Sequence, residues 1–243
     1  MDRVIYLAMT GAKATMQRQD VLSHNLANAS TTGFRAEMMA FRAVPVQGDG
    51  ASTRVFALES TPGYNPEAGP VTATGRNLDV AMKGDAWLAV QAADGSEAYT
   101  RNGALDVNNE GVLVTRSGLP VQGEGGPITV PANAMVQIGS DGSITATVGN
   151  ARPQGIGKLK MVIPEAALIR GEDGLFRSGD GNDLDAAPGA GLQSGALEGS
   201  NVSPVESMVA MISASRQFEQ QMKLLQTAQD REQSATKLLS SSA

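Results

Sequence analysis

At 243 residues and a formal net charge of −6, the chain is long enough for one or two domains with a real core, and it has no basic patch with which to neutralise nucleic-acid phosphates. The absence of cysteine excludes disulfides and thiolate metal sites, and a single histidine excludes a multi-histidine one. Aromatic residues make up only 4%, whereas 28 glycines and 11 prolines point to many turns and short strands rather than a dense enzyme core.

Residues 2–28 read as a first amphipathic helix, because Ile5, Ala8, Ala12, Met16, Leu22 and Leu26 recur with helical period. Gly11 costs about 1 kcal/mol relative to Ala there, but with Ala8, Ala12 and Ala14 it makes a face that another helix can approach closely. Asp2, Arg3, Lys13 and Arg18 interrupt the apolar run, so no cleaved secretory signal is expected. No stretch approaches the ~20 apolar residues of a membrane span, and no lipid-embedded segment is expected. His24, the lone histidine, sits in a polar part of this helix beside Asn25 with no nucleophile near it, which suits a structural or solvent-facing role. Ser30-Thr31-Thr32-Gly33 is expected to end the helix, with Gly33 in the left-handed conformation.

Residues 35–70 mix Met, Pro, Gly and charge without periodicity and read as an extended connector. From Val71 to about Val202 short alternating runs are separated by turn residues. Trp87–Gln91, closed by Asp94-Gly95, is one candidate strand, followed by 98–100 and 112–114. The runs 128–130, 134–138 and 144–148 continue the series, with Asp141-Gly142 joining the last two. Later candidates are 158–162 and 175–176. Close turn spacing favours a barrel or sandwich over βαβ units.

The last helix is announced by Ser203 as N-cap, Pro204 at the first helical position and Glu206 three residues past the cap. From Pro204 to Leu239 it would reach roughly 54 Å. Met208, Met211, Phe218, Met222 and Leu225 form its apolar stripe, with Ser215 the polar step. Val205, Ile212, Ala228 and Leu238 flank it. The strand-like middle cannot cover either helix, so the stripes must be buried against each other and against neighbouring copies.

Chemistry is sparse. The run Gly179 to Asp185 alternates oxygen ligands like a calcium loop, but the twelfth position counted from Asp180 is Gly191, where an acidic residue is needed. Asp79 and Asp85 flank an apolar stretch and read as turn residues. The residues 123–126 lack the Lys-Ser/Thr of a phosphate loop. No catalytic residue, metal or cofactor is expected. A β-domain that binds glycan or peptidoglycan on a coiled-coil stalk is the rival reading, and an exposed aromatic platform would favour it.

The segment Asn25-Leu26-Ala27-Asn28-Ala29-Ser30-Thr31-Thr32-Gly33-Phe34-Arg35 resembles the N-terminal motif of flagellar rod and hook proteins, which usually carry Lys after the Phe. Thr74 to Trp87, continuing to Tyr99-Thr100-Arg101-Asn102-Gly103, is similar to the family's central β-domain, and Leu197-Glu198-Gly199-Ser200-Asn201-Val202 to its entry into the C-terminal helix. Where many members have Gly and paired Phe, this chain has Ala86-Trp87-Leu88. The opening Met1 to Tyr6, the segment Ser215 to Glu219 and the modest length resemble proximal-rod members, with distal-rod members the closest competitors.

The resemblance implies a structural subunit of the bacterial basal body, exported without a cleaved signal by the flagellar type III apparatus and assembled in the periplasm. Its partners would be proximal and distal rod proteins and copies of itself. The fold class expected is α+β, with the N- and C-terminal helices paired as a coiled-coil-like layer and a central, mainly antiparallel β domain, a barrel or sandwich. Residues 1–34 and 203–243 would be the helical assembly domain, 35–70 the connector and 71–202 the β domain. The assembly interface expected comprises Ile5, Ala8, Ala12, Met16, Leu22 and Leu26 on the first helix. On the last it comprises Met208, Met211, Ile212, Phe218, Met222 and Leu225.

Overall fold

In the computed structural model, which describes residues 2–45, 55–59 and 63–241, two long helices bracket a series of short antiparallel strands. The α+β class expected from the sequence is what forms, with the terminal helices packed together. The described strands make separate antiparallel sheets rather than a closed barrel. The chain divides into two units: residues 1–29, 37–65 and 202–243 form unit 1, while Ser30–Ala36 and Pro66–Asn201 form unit 2.

Unit 1 is built on helix α1, Asp2–Ala27, and helix α2, Pro204–Ser241. The start of α2 is capped as expected: Ser203 Oγ accepts the Glu206 N–H at 3.4 Å, and the Ser203 carbonyl accepts the Ser207 N–H at 3.0 Å. Helix α1 stops earlier than Gly33. The Asn28 side chain donates to the His24 carbonyl at 2.9 Å and its N–H reaches both His24 and Asn25 carbonyls, which satisfies the last turn. Gly33 does take a positive φ of 69°. Its second constraint is close approach, since a Cβ there would lie 2.3 Å from the Arg101 carbonyl carbon.

The region read as connector carries two antiparallel pairings that its lack of periodicity does not announce. Glu37–Met38 pairs with Gly63–Tyr64, and Phe41–Pro45 with Val55–Glu59. Leu238, read as part of the flanking row, lies where only the helix backbone is described.

Unit 2 holds the main core. Its largest sheet orders Met161–Val162, Trp87–Gln91, Glu97–Thr100, Phe176–Arg177 and Ile169–Arg170. A second sheet runs Ala134–Ile138, Ser143–Val148, Gln154–Lys158. Both Asp-Gly signals turn where they should. Asp94 accepts the Ser96 N–H at 2.9 Å and Asp141 the Ser143 N–H at 3.1 Å, closing twin turns over Gly95 and Gly142. Residues 128–130 do not form the expected strand and contribute only a bridge from Thr129 to Val112. Pro127 and Pro131 on either side lack the N–H that a ladder needs. Between the sheets Leu88, Val90, Leu105, Leu113, Val121 and Ile144 are fully buried.

Candidate assembly surface

The helix pair has a seam with heptad spacing. On α1 the positions turned inward are 5, 8, 12, 15, 19, 22 and 26, and on α2 they are 207, 211, 214, 218, 221, 225 and 228. A Cβ at Gly11 would meet the Gln221 side chain at 3.2 Å, so these two positions face each other. From that point, antiparallel pairing lays residues 5–26 against 206–227, whereas parallel pairing lays them against 215–236. Burial that already begins at Ser207 fits the antiparallel arrangement.

The seam is made of small residues: Ala8, Ala12, Thr15, Ser207 and Ala214 are its buried members. Ile5, Leu22, Leu26, Met211, Phe218 and Leu225 are half-buried along it. Met208, Met222 and Met16, which sequence reasoning placed in the stripes, lie one step outside it and are exposed. The two readings of α2 share residues 211, 218 and 225. They differ by one position elsewhere: Ser207, Ala214 and Gln221 turn inward where the sequence pattern marks Met208, Ser215 and Met222.

A second apolar stripe therefore remains outward. Tyr6, Met9 and Met16 on α1, with Val205, Met208, Val209 and Ile212 on α2, are each at least half exposed. Val205, Met208, Val209 and Ile212 recur at steps of three and four and share one face. The remaining exposed surface of α2 mixes Gln217, Gln220, Gln226, Gln229 and Gln233 with charged residues of both signs, among them Arg216, Glu219, Lys223 and Asp230.

The motif residues serve two different purposes. Asn25 is buried in unit 1 and pairs with the backbone of Glu37: Oδ1 accepts its N–H at 2.8 Å, and Nδ2 donates to its carbonyl at 2.9 Å. His24 Nδ1 lies 3.0 Å from the Glu37 carboxylate, so two adjacent side chains fix one strand end to α1. Leu26 belongs to the seam, Asn28 ends the helix, Ala27 is exposed and Thr32 is half-buried.

Gly33, Phe34 and Arg35 lie in unit 2. Phe34 is buried beneath the Arg170 guanidinium, 4.6 Å from its ring centroid. Arg35 Nη1 forms an ion pair with Glu198 Oε1 at 2.5 Å, while Arg101 Nη2 and Nε reach Glu198 Oε2 at 2.7 and 2.9 Å. All three side chains are almost wholly buried. One carboxylate thus joins the three motifs that carry the family resemblance. Burial pushes the Arg101 pKa down from its ordinary value, and the Glu198 charge opposes that shift.

The Glu198 carboxylate is taken up by its two arginines, while the buried Arg35 Nε has no hydrogen-bond partner among the described residues. A cleft of about 290 Å³ opens beside it, between Val71, Lys83, Asp85 and Arg101. The remaining Arg101 donors are committed to the carbonyls of Gly84, Ala86 and Met82. Within unit 2 the aromatic rings that a sugar could stack on are covered. Trp87 and Tyr99 are buried, and Trp87 packs on Phe176 with centroids 4.7 Å apart.

Three protein-family models match in chain order. They are "Flagella basal body rod protein" over residues 5–35, "Flagellar hook protein FlgE/F/G D1 domain" over 81–146, and "Flagellar basal body rod FlgEFG protein C-terminal" over 193–238. Flagellar basal-body rod protein FlgF of Salmonella typhimurium is 47% identical, and that of Escherichia coli 46%, each over 100% of both chains. FlgG of Buchnera aphidicola subsp. Schizaphis graminum is 31% identical over 92% of this chain and 95% of its own. The match to FlgF at both ends and through the middle settles the relationship, and the chain belongs to the FlgF family of flagellar basal-body rod proteins.

Proposed function

We propose that this rod protein polymerises through the outward stripe of its paired terminal helices, and that the assembled helices transmit torque and line the export channel. The observation that carries this reading is the exposure of Met208, Val209 and Ile212 beside Val205 on one face of α2, at 50 to 71%. Isolated helices are marginal, and a seam whose fully buried members are alanine, threonine and serine, with its larger residues only half-buried, adds little to their pairing. Burying the second stripe against neighbours adds about 25 cal/mol per Å² of apolar surface. The interface residues read from the sequence then take two parts. Ala8, Ala12, Met211, Phe218 and Leu225 zip the pair, while Met16, Met208, Ile212 and Met222 meet other subunits.

The partners are proximal and distal rod proteins and further copies of this chain. Contacts of this open, head-to-tail kind build helical assemblies rather than closed dimers. Placement in the proximal rod, on the periplasmic side, and delivery by the type III export apparatus without a cleaved signal complete the reading.

Ile212→Asp tests it. The purified monomer should keep its stability, while cells carrying the variant should be non-motile, with the protein soluble instead of in basal bodies. Normal swimming with Ile212→Asp would sink the proposed interface.

A further inference from the structure

The chain enters or leaves unit 2 at four points, Ser30, Ala36, Pro66 and Asn201. Inside that unit, the residues beside these points are bonded to one another. Asn201 Oδ1 accepts the Ala36 N–H at 2.6 Å, its Nδ2 donates to the Glu67 carbonyl at 2.8 Å, and its backbone N–H donates to the Phe34 carbonyl at 3.3 Å. Glu198 completes the set. Its carbonyl accepts the Gly33 N–H at 2.8 Å, and its carboxylate accepts the Gly69 N–H at 3.1 Å beside the ion pair with Arg35. The Gly199 N–H reaches the Pro70 carbonyl at 2.8 Å. A Cβ on Gly69 would lie only 2.1 Å from the Gly199 carbonyl oxygen, so these segments touch backbone to backbone.

A lone extended strand has two soft dihedrals per residue and swivels freely. Four separate exits would therefore be four hinges, and torsion would be absorbed in them. Cross-bonding removes that freedom. We propose that Asn201 and Glu198 are positioning residues for the rod function, fastening all four exits into one clamp that bears torsional load as a single body. This rests on the rod-subunit reading above. It goes beyond that reading by assigning load-bearing to a side-chain cluster inside the β unit rather than to the helices.

Hydrogen exchange on the purified full-length chain tests the clamp without reference to rods. Asn201→Ala should speed exchange at Ala36, Gly33, Gly69 and Gly199 together, at least tenfold, while the Trp87–Gln91 amides stay protected. Faster exchange at Ala36 alone would mean separate contacts and no clamp. Loss of protection at Trp87–Gln91 would make Asn201 a general folding residue and overturn the proposal. Asn201→Asp keeps the acceptor for Ala36 but loses the donor to the Glu67 carbonyl, so it should slow exchange at Ala36 only and leave the other three amides fast.

The load-bearing claim is read in cells. Basal bodies containing Asn201→Ala should assemble and turn at low load, with motor torque in viscous medium down at least twofold and not recovered with Asn201→Asp, which lacks the donor to Glu67. Unchanged torque despite cooperative loosening would leave the clamp purely structural and end the positioning role. Failure of the proposed helix interface would show separately, as swimming by the Ile212→Asp strain.

Discussion

In unit 2 the fully buried side chains include Leu88, Leu105, Leu113, Ile144 and Leu192, whereas the best-buried positions of the helix pair in unit 1 are Ala8, Ala12, Thr15, Ser207 and Ala214. Burying a large aliphatic side chain contributes about 1.5–3 kcal/mol, and a methyl or hydroxymethyl group far less. The β unit therefore has what it needs to hold itself together. The helices leave Ile212, Met208 and Val209 in solvent and keep small groups inside. A monomeric protein gains nothing from that exchange of large for small. On the interface proposed above a subunit does, because close approach within the pair leaves the larger side chains for its neighbours.

The contrast can be broken most forcefully at the buried charges of unit 2. Glu198→Ala would leave Arg35 and Arg101, both about 2% exposed, without their carboxylate. The expected loss is about 3–5 kcal/mol. It should appear as a lower urea midpoint for Trp87 fluorescence, the chain's single tryptophan. A midpoint within error of the parent would show that the cluster is not what joins the three motifs.

Next in size is a pair of changes on α2. Leu225 is half-buried in the seam, so Leu225→Asp should open the helix pair at a cost of about 1–3 kcal/mol. Ile212→Asp, on the outward face, should stay within about 0.5 kcal/mol. Circular dichroism should report lost helix for the first only, with Trp87 fluorescence native in both. Equal damage from the two would erase the distinction between an inner seam and an outer stripe.

Much of this contrast was legible in the sequence. Helix α2 could be placed from Ser203-Pro204 and Glu206, and the sheets from Asp94-Gly95 and Asp141-Gly142, because caps and turns are written within a few residues. The phase of the seam was off by one at alternate steps. Periodicity weights large side chains, and a tight helix pair selects small ones. The Arg35–Glu198–Arg101 cluster left no local signal. Arg101 and Glu198 are 97 positions apart, and nothing near either residue states that it will be buried. The short pairings such as Glu37–Met38 with Gly63–Tyr64 were equally silent, since two residues carry no period.

A smaller effect is expected with acid. The hydrogen bond from Arg177, at 2.7 and 3.1 Å, holds the Asp173 carboxyl below its ordinary 3.8. Hydrogen bonds from Ser96 and Ser143 do the same for Asp94 and Asp141. For groups whose folded pKa is depressed, the stabilisation is present above the unfolded value and is lost as pH falls through the folded one. Unit 2 should therefore unfold at a constant urea midpoint from pH 8 down to about 5, and at a falling one below about 4. Asp173→Asn should blunt that acid dependence. An acid limb of the same steepness in the variant would place the titration elsewhere.

The gentlest test bears on the seam itself. Gly11 sits in the middle of α1, where alanine is favoured by about 1 kcal/mol. The added Cβ would meet only the Gln221 side chain, at 3.2–3.3 Å, and that flexible group can turn aside. Gly11→Ala should therefore leave the monomer as stable as the parent or raise its helix melting temperature by a few degrees. Two results can follow for assembly. If rods still form, Gly11 is simply a tolerated glycine within the pair. If a more stable monomer fails to build rods, the small face of α1 admits a neighbouring subunit as well as α2, and the boundary between inner seam and outer stripe moves to include it. A destabilised monomer would contradict the packing at Gln221 and with it the antiparallel register built on that contact.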